Sequence, residues 1–346
     1  MAEGSIENLQ ILLPAQNNIS LEPNERDRRF LKQCKYFNDG SYSRPNVFVC
    51  ELPEAFCHVC TGLVCDRGFR AISDSQMGYR LGCNPAFKGF KPTGITNLRG
   101  TYSTIQNVYW DYWWHWLVDC LPRLLLLEEA CPGRRVILLV PENLAGAFEE
   151  SLGCLCPPNF EIRRLPPNAW VKVDRLILPT YVSGRGNGHI PAKYCQSIRR
   201  KVFAKLGLAQ SNNPVDHIYV SRAHARYRRI LNEGDLMGLL DRYGFKSVAP
   251  ERLTFGEQVA LFHQAAVVVS AYGSNWTNIL FSGNIKILVL YPDRQPETHV
   301  FTMAKALGQE HFFLAGVEGS VDSDFSVDLS DVENVLRNEM DLRPVG

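Results

Sequence analysis

Apolar residues in the second half of the chain occur in short, unbroken runs separated by segments of helical length. Ala265 to Val269 is one such run, rich in valine and too short for a helix, and Ile285 to Tyr291 is another. Runs of this kind are typical of strands buried on both faces of a parallel sheet. Ser274, which lies between them, is well placed to cap a short helix. The pattern therefore predicts a strand–helix–strand unit with a polar turn at the carboxyl end of its first strand.

The flanking segments continue the same alternation. Further strands are predicted at His217–Ser221, Lys246–Ala249 and His311–Leu314, and helices at Glu233–Tyr243, Phe255–Ala265, Val300–Leu307 and Leu329–Met340. Strands that alternate with helices of this length favour an α/β fold with a doubly wound parallel sheet. Thr254 and Glu257 have the spacing of a capping box, so we interpret Glu257 as a helix cap.

The first half of the chain is less regular. A helix is predicted at 109–131, and irregular β structure from Asn46 to about Gly100. The remaining predicted elements are strands at Arg135–Val140 and Val171–Pro179, and helices at Glu142–Leu152 and Ala192–Leu208.

The length of the chain, 346 residues, exceeds the size at which single cores stop growing, so two domains are expected. The predicted division is a loose lead-in at 1–30, an amino-terminal α/β domain at 31–208, a carboxyl-terminal α/β domain at 215–325, and a last helix and tail at 326–346.

Composition narrows the class of protein. Apolar residues make up 45% of the chain and the net charge is +1, which suits a soluble globular protein and argues against a nucleic-acid binder. No apolar run approaches the ~20 residues of a membrane span, and the first residues lack a signal pattern. We expect the protein to lie in the cytoplasm, either free or at the inner face of a membrane. A trimmed form of a secreted or anchored protein, which would act in a lumen, would show the same pattern.

The cysteines and acidic pairs do not predict a metal site. Among the eleven cysteines, four cluster in the amino-terminal part: Cys57, Cys60, Cys65 and Cys83. Cys57 and Cys60 have zinc spacing, but a second tight pair is missing, so buried thiols with one or two disulfides are favoured. Asp322 and Asp324 have the spacing of a metal–nucleotide motif. However, they lie in a polar connection where acidic residues are ordinary.

An aromatic cluster marks the predicted helix at 109–131. Four tryptophans and two tyrosines lie between Tyr109 and Trp116, more than one helix face can bury. Aromatic rings suit the apolar faces of sugars. His115 and Asp119 are four residues apart and share a helix face, where the carboxylate could orient the imidazole. The alternative is that the aromatic rings form core and His115 makes a buried polar contact.

Two segments of the second half could bind phosphate. Arg222 directly follows a predicted strand, and Arg228 and Arg229 come soon after it. Arginines at the carboxyl end of a strand suit bidentate capture of a diphosphate, although a solvated basic turn has the same composition. The turn from Tyr272 to Asn278 lies at a strand end and opens a helix, whose N–H groups attract phosphate.

Three segments together resemble glycosyltransferase family 61. They are WWHWLVDCLPRLLLL, SRAHARYRRILNEGDL, and the Tyr-Gly-Ser-Asn-Trp-Thr-Asn turn that starts at Tyr272. The resemblance covers roughly residues 100 to 310. Tyr272 and Asn275 replace a histidine and a glycine of the family pattern.

The resemblance implies a GT-B fold, in which two Rossmann-like domains face across a cleft, with the acceptor on the amino-terminal domain and a nucleotide sugar on the carboxyl-terminal one. It also implies an inverting transfer to a hydroxyl of a glycan or glycoconjugate, with a UDP-sugar as co-substrate and no dedicated metal or other cofactor. The expected donor-binding residues are Arg222, Arg228, Arg229, Tyr272, Gly273, Ser274, Asn275, Thr277 and Asn278, and the expected acceptor-binding residues are Trp113, Trp114 and Arg123. We expect His115 to be the general base, oriented by Asp119, with Asp119 itself as the rival base.

Two other functions fit the same fold, because fold does not fix function. One is a pyruvyl-type transferase of polysaccharide assembly. The other is a catalytically silent sugar-binding protein.

Overall fold

The computed structural model describes residues 6–34, 40–76, 94–183, 190–209, 214–292 and 296–345. Its contacts divide the chain into two compact units. Unit 1 comprises Met1–Asn17 and Ser43–Val202, and unit 2 comprises Asn18–Tyr42 and Phe203–Gly346. The predicted cluster residue Cys83 lies outside the described residues.

The strands, in chain order, are β1 (Glu7–Leu13), β2 (Gln16–Ser20), β3 (Ser41–Arg44), β4 (Val47–His58), β5 (Val64–Cys65), β6 (Thr96–Thr104), β7 (Val136–Pro141), β8 (Phe160–Leu165), β9 (Trp170–Pro179), β10 (Asp216–Val220), β11 (Phe245–Val248), β12 (Ala265–Ala271), β13 (Lys286–Tyr291), β14 (Glu310–Ala315), β15 (Val317–Glu318) and β16 (Phe325–Ser326).

The α-helices are α1 (Glu25–Leu31), α2 (Trp113–His115), α3 (Pro122–Ala130), α4 (Ala147–Leu155), α5 (Ala192–Leu206), α6 (Glu233–Asp241), α7 (Phe255–Gln264), α8 (His299–Leu307) and α9 (Leu329–Asn334). Short 3₁₀ helices occur at Ser73–Ser75, Pro250–Arg252 and Ser274–Phe281, and π-helical turns at Trp116–Cys120 and Val335–Glu339.

Unit 1 is built on a mixed sheet with the strand order β1-β4-β9-β6-β7-β8, in which β5 also pairs with β4. Strands β9, β6, β7 and β8 are parallel, whereas β4 is antiparallel to both β1 and β9. From β6 the chain moves outward through β7 and β8, and then returns to β9 on the other side of β6. The carboxyl ends of β6 and β9 therefore form a topological switch point, where α/β proteins commonly bind ligands.

Strands β1 and β8, at the two edges of the unit 1 sheet, were not predicted. Strand β1 lies inside the segment expected to be a loose lead-in, but it pairs with β4 through its backbone. Leu9, Ile11 and Leu13 alternate along it, but its first five residues are exposed, so its place in the sheet depends mainly on pairing with β4. Strand β8 has four consecutive exposed residues because it lies at the edge of the sheet.

The aromatic segment forms a helix in three parts. The predicted helix begins at Trp113 rather than at 109, and its middle part, Trp116–Cys120, is a π turn. The Leu121 N–H donates to the Trp116 carbonyl at 2.9 Å, five residues back. Pro122 has no N–H to donate and begins α3, which accounts for the change of helix type at this position.

Unit 2 contains a parallel sheet with the strand order β11-β10-β12-β13-β14. This confirms the parallel α/β sheet predicted for the second half and the β12–helix–β13 unit at its centre. The helix between β12 and β13 is a 3₁₀ helix, and Gly273 rather than Ser274 precedes it as the cap. In this strand order the carboxyl ends of β10 and β12 form the switch point of the sheet.

The first helix belongs to unit 2, although its residues were expected to lie in the lead-in. Phe30 of α1 is fully buried, with its ring 5.2 Å from that of Phe301. Lys305 forms an ion pair with the buried Asp27 at 3.0 Å. A sequence pattern shows the apolar Phe30 but not its distant partner in α8, so this packing was not predicted.

Candidate functional site

A hydrogen-bonded chain of three side chains lies at the switch point of unit 1. His115 Nδ1 is 2.6 Å from Asp119 Oδ2, and Ser183 Oγ donates to Asp119 Oδ1 at 2.7 Å. The Asp119 side chain is 1% exposed and that of His115 is 26% exposed. The predicted pair is therefore brought together, with the carboxylate inside and the imidazole reaching the surface.

This arrangement determines which nitrogen of His115 is available. A buried carboxylate that accepts from Nδ1–H holds the neutral ring with its lone pair on Nε2. Ser183, which follows β9, fixes the second oxygen of Asp119. The geometry is that of a base oriented by a carboxylate.

Two tyrosines flank the imidazole. The Tyr109 ring stacks on His115 with centroids 5.2 Å apart, and the Tyr112 ring meets it edge-on at 6.4 Å. Tyr112 is 54% exposed. Its ring is thus an exposed aromatic surface close to the imidazole, whereas the expected acceptor contacts were the neighbouring tryptophans.

The structure corrects part of the predicted acceptor site. Trp114 is buried, and the half-buried Trp113 packs edge-on against Phe148 at 5.2 Å. For Trp114, the alternative interpretation therefore fits better: its ring packs in the core.

Arg123 is also a packing residue. Its side chain is fully buried, and its guanidinium donates to the carbonyls of Pro179, at 2.7 and 3.1 Å, and of Gln106, at 2.9 Å. These carbonyls lie at the carboxyl ends of β9 and β6. Arg123 therefore ties together the two strands of the switch point and anchors the helix that carries His115. Because the guanidinium is fully buried, it does not present a donor to an acceptor at the surface.

The switch point of unit 2 brings Arg222 and Gly273 together, as the sequence predicted from two strand ends. A Cβ atom on Gly273 would lie 2.1 Å from Arg222 Nη1. Gly273 has an extended backbone with φ 174°, so the absence of a side chain serves the close approach of the guanidinium rather than the backbone conformation.

Arg222 is poorly compensated in this position. Its Nη2 donates to the Tyr227 carbonyl at 3.0 Å, whereas its Nε is buried without a hydrogen-bond partner among the described residues. Burial and the nearby Arg228 lower the pKa of Arg222 to about 10, against a smaller opposing effect of Glu251. Within the described part of the chain, no carboxylate forms an ion pair with Arg222 or Arg228. Two neighbouring guanidiniums without counter-ions favour a polyanionic ligand.

The other residues predicted to bind the sugar donor fall into two groups. Ser274 and Asn275 are half-buried at the start of the 3₁₀ helix, where N–H groups lack partners within the helix. Thr277 and Asn278 are fully buried. Thr277 Oγ1 donates to the Ser274 carbonyl at 2.6 Å, and Asn278 Nδ2 donates to Gln258 at 3.0 Å. These two side chains hold the helix in place and do not face a ligand.

Arg229 is likewise occupied. Its guanidinium and backbone N–H both bind Asp324, with a closest distance of 2.6 Å. This ion pair lowers the pKa of Asp324. Arg229 is thus already neutralised, and this contact gives Asp324 a structural role. Within the described residues, no group of three or more His, Cys, Asp or Glu is arranged to hold a metal ion.

Comparison with known proteins identifies the family of the chain. Residues 113–299, more than half of the chain, match the glycosyltransferase 61 family. The chain belongs to the glycosyltransferase 61 family. The matched range contains the His115–Asp119 pair, Arg222 and the turn after β12, so the resemblance drawn from the motifs is confirmed.

A curated relative of this glycosyltransferase 61 chain is an EGF domain-specific O-linked N-acetylglucosamine transferase of Drosophila melanogaster. It is 35% identical over 69 residues, which are 19% of this chain and 13% of the relative. The match therefore spans a small part of the relative's length. Family membership and this relative make glycosyltransferase activity the first function to propose for the chain.

The helices and the cysteines bear on two other predictions, membrane spans and disulfides. The described helices include none that is long and apolar enough to cross a membrane. Cys57, Cys60 and Cys65 are free thiols. Burial raises the pKa of Cys57 to about 12, so this thiol is unreactive near neutral pH.

Sequence reasoning missed Ser183 and Tyr112 as site residues. Ser183 lies 64 positions from Asp119, and no motif links the two. Tyr112 is part of the aromatic cluster, but the pattern does not distinguish its exposed ring from the buried rings beside it.

Proposed function

We propose that this protein is an inverting glycosyltransferase that moves a sugar from a nucleotide sugar, with UDP-sugars as the first candidates, to a hydroxyl of a glycan or glycoconjugate. In this proposal, units 1 and 2 are the acceptor and donor domains of a GT-B enzyme, which is the arrangement that the family resemblance implies. Arg222, Arg228, Gly273, Ser274 and Asn275 would contact the donor.

The observation that carries the proposal is the pair of uncompensated guanidiniums at the switch point of unit 2. Arg222 is desolvated and has a donor without a partner, and Arg228 lies close enough to lower its pKa. Buried charges without partners are typical of sites where a bound ligand neutralises them. A diphosphate carries at least two negative charges and suits bidentate guanidinium contacts, so it fits this pair better than a neutral sugar does.

The base in the proposed reaction is His115. Its Nε2 takes the proton of the acceptor hydroxyl as the hydroxyl oxygen forms its bond to the anomeric carbon. The bond between that carbon and the diphosphate oxygen breaks, and the diphosphate leaves with the electron pair. A single displacement of this kind inverts the anomeric centre. Asp119 stabilises the imidazolium that forms, through the 2.6 Å contact to Nδ1.

The departing diphosphate would be neutralised by Arg222, Arg228 and the N–H groups that open the 3₁₀ helix. These groups supply positive charge at the place where negative charge develops. The proposal therefore needs no dedicated metal ion.

The name of the Drosophila relative suggests which donor to test first. That protein is described as an O-linked N-acetylglucosamine transferase. We therefore propose UDP-N-acetylglucosamine as the first donor, and a protein hydroxyl beside glycan hydroxyls as an acceptor.

A ligand screen with two readouts tests the proposal. Thermal unfolding is measured with UDP-N-acetylglucosamine, other UDP-sugars, phosphoenolpyruvate and free glycans, each at about 100 times the Kd, where binding would stabilise the protein by about 2.7 kcal/mol. UDP release with an acceptor present is measured in parallel. Stabilisation by a UDP-sugar together with acceptor-dependent UDP release supports the proposal. Stabilisation by phosphoenolpyruvate alone would indicate a pyruvyl-type transferase, and stabilisation by glycans alone would indicate a sugar-binding protein.

A further inference from the structure

The ring of Tyr272 is covered by other groups of unit 2. The Arg228 guanidinium lies over it at 5.0 Å from the ring centroid, and the Tyr291 ring stacks on it at 5.3 Å with an interplanar angle of 24°. The Tyr272 hydroxyl lies 3.4 Å from His299 Nδ1. Little of the ring is left to stack on a nucleotide base, although the sequence placed Tyr272 among the donor contacts.

Arg228 has an unusual backbone conformation. Its φ angle is 59°, in the left-handed region that residues other than glycine rarely adopt. Its N–H donates to the Asp322 carbonyl at 3.1 Å, which helps to hold this conformation. Strained backbone is retained where the surroundings fix it, and such residues cluster at functional sites. Here the strain sends the side chain toward Tyr272 and Arg222.

We infer that Tyr272 is a positioning residue, whose ring holds the Arg228 guanidinium beside Arg222 so that the two form one anion-binding clamp. A cation over an aromatic face is attracted by the ring, more strongly where water is excluded. Two guanidiniums repel each other, so an otherwise flexible Arg228 would point to solvent in the absence of ligand. Tyr272 opposes this repulsion and lowers the ordering cost of binding.

Two contacts hold the Tyr272 ring in place. Tyr291 is buried and stacks on it, and the His299 contact restrains its hydroxyl end. The ring is therefore fixed before Arg228 reaches it. This inference rests on the proposed function, because it assumes that the clamp receives the diphosphate of the donor.

A double-mutant cycle on UDP affinity tests the inference, with Kd measured by isothermal titration calorimetry. Tyr272→Leu should weaken UDP binding about three- to tenfold, which is the range expected for loss of a cation–π contact. Tyr272→Phe keeps the ring and should stay within about twofold of the wild type. In the Arg228→Ala background, Tyr272→Leu should have no further effect, because two residues that act as one unit are not additive.

Tyr272→Met is the second variant, because methionine fills similar space without an aromatic face. It replaces Tyr272→Leu in the experiment if that protein does not fold. Additive effects of the Tyr272 and Arg228 substitutions, or unchanged UDP affinity in both folded Tyr272 variants, would overturn the inference. Failure of the wild-type protein to bind UDP would instead overturn the proposed function, so the two failures are distinguishable.

Discussion

An arginine lies at the switch point of each unit, and the two have opposite surroundings. Arg123 in unit 1 is fully buried, and its guanidinium nitrogens donate to backbone carbonyls at the ends of β6 and β9. Arg222 in unit 2 has a buried Nε without a partner in the described residues and a lowered pKa of about 10. Both side chains lie near a switch point, Arg123 from helix α3 and Arg222 from the turn after β10, but only the Arg123 guanidinium is bonded through all three of its nitrogens.

The comparison extends to the functional side chains. In unit 1, Ser183, Asp119 and His115 are joined by hydrogen bonds, so the proposed base is ordered without substrate. In unit 2, burial and the nearby charge of Arg228 lower the pKa of Arg222. We therefore expect substitutions in unit 1 to affect folding or turnover, and substitutions at the unit 2 switch point to affect donor affinity. The predictions below follow this division.

The largest effect is expected for Arg123→Ala. It leaves the carbonyls of Gln106 and Pro179 buried and unbonded, and should lower the free energy of unfolding by about 2–4 kcal/mol. Chemical denaturation measures this loss. A stable Arg123→Ala protein with a raised KM for acceptor would instead restore Arg123 to the acceptor site and break the comparison.

His115→Ala should reduce turnover at least ~100-fold while UDP affinity and melting temperature stay near the wild-type values, because a general base acts only in the chemical step. Asp119→Asn is the partner variant, with turnover and UDP affinity measured for both proteins. Near-normal turnover in His115→Ala, with collapse in Asp119→Asn, would transfer the role of base to Asp119.

Arg222→Ala should weaken UDP binding by about 1.5–3 kcal/mol, the range for charge-assisted contacts, without a comparable loss of stability. Titration calorimetry gives the affinity. Arg229→Ala is a matched control from the same segment, since its guanidinium is bound to Asp324. Equal losses in the two variants would show that the segment as a whole, and not the Arg222 clamp, binds the donor.

Gly273→Ala should weaken UDP binding by a smaller amount, about tenfold, because the new Cβ displaces the Arg222 side chain without removing its charge. The fold should tolerate the change, since the atom displaced is the end of a flexible side chain. Gly283→Ala is a control, because a Cβ there meets no atom within 4 Å. Unchanged affinity in Gly273→Ala would mean that Arg222 binds the donor from another position.

The smallest expected effect is that of metal removal. Initial rates of sugar transfer should be the same before and after treatment with EDTA, because arginine side chains supply the positive charge that a cation would supply. Complete loss of activity that manganese restores would contradict this, and would direct attention to acidic residues such as Asp322.

The sequence predicted unit 2 better than unit 1 for a physical reason. Strands such as β12 and β13 are buried on both faces and read as unbroken apolar runs, so their positions were correct to within a residue or two. The Thr254–Glu257 capping box was also confirmed. Strands β1 and β8 lie at sheet edges with exposed side chains, and α1 packs on elements far away in sequence. Their positions depend on partners that a local pattern does not contain.

The sequence by itself determined the family, the parallel sheet of the second half, and the pairing of His115 with Asp119, because a spacing of four residues places two side chains on one helix face. It also brought Arg222 to Gly273, since parallel strands end at one edge of a sheet. Only the tertiary structure decided which polar groups were already satisfied. The sequence predicted four binding residues whose side chains are bonded within the protein: Arg123, Arg229, Thr277 and Asn278. No motif predicted the hydrogen bond of Ser183 or the contact between Tyr272 and Arg228. Hydrogen bonds and burial join residues that are remote along the chain, so the division between structural and functional side chains arises only when the chain folds.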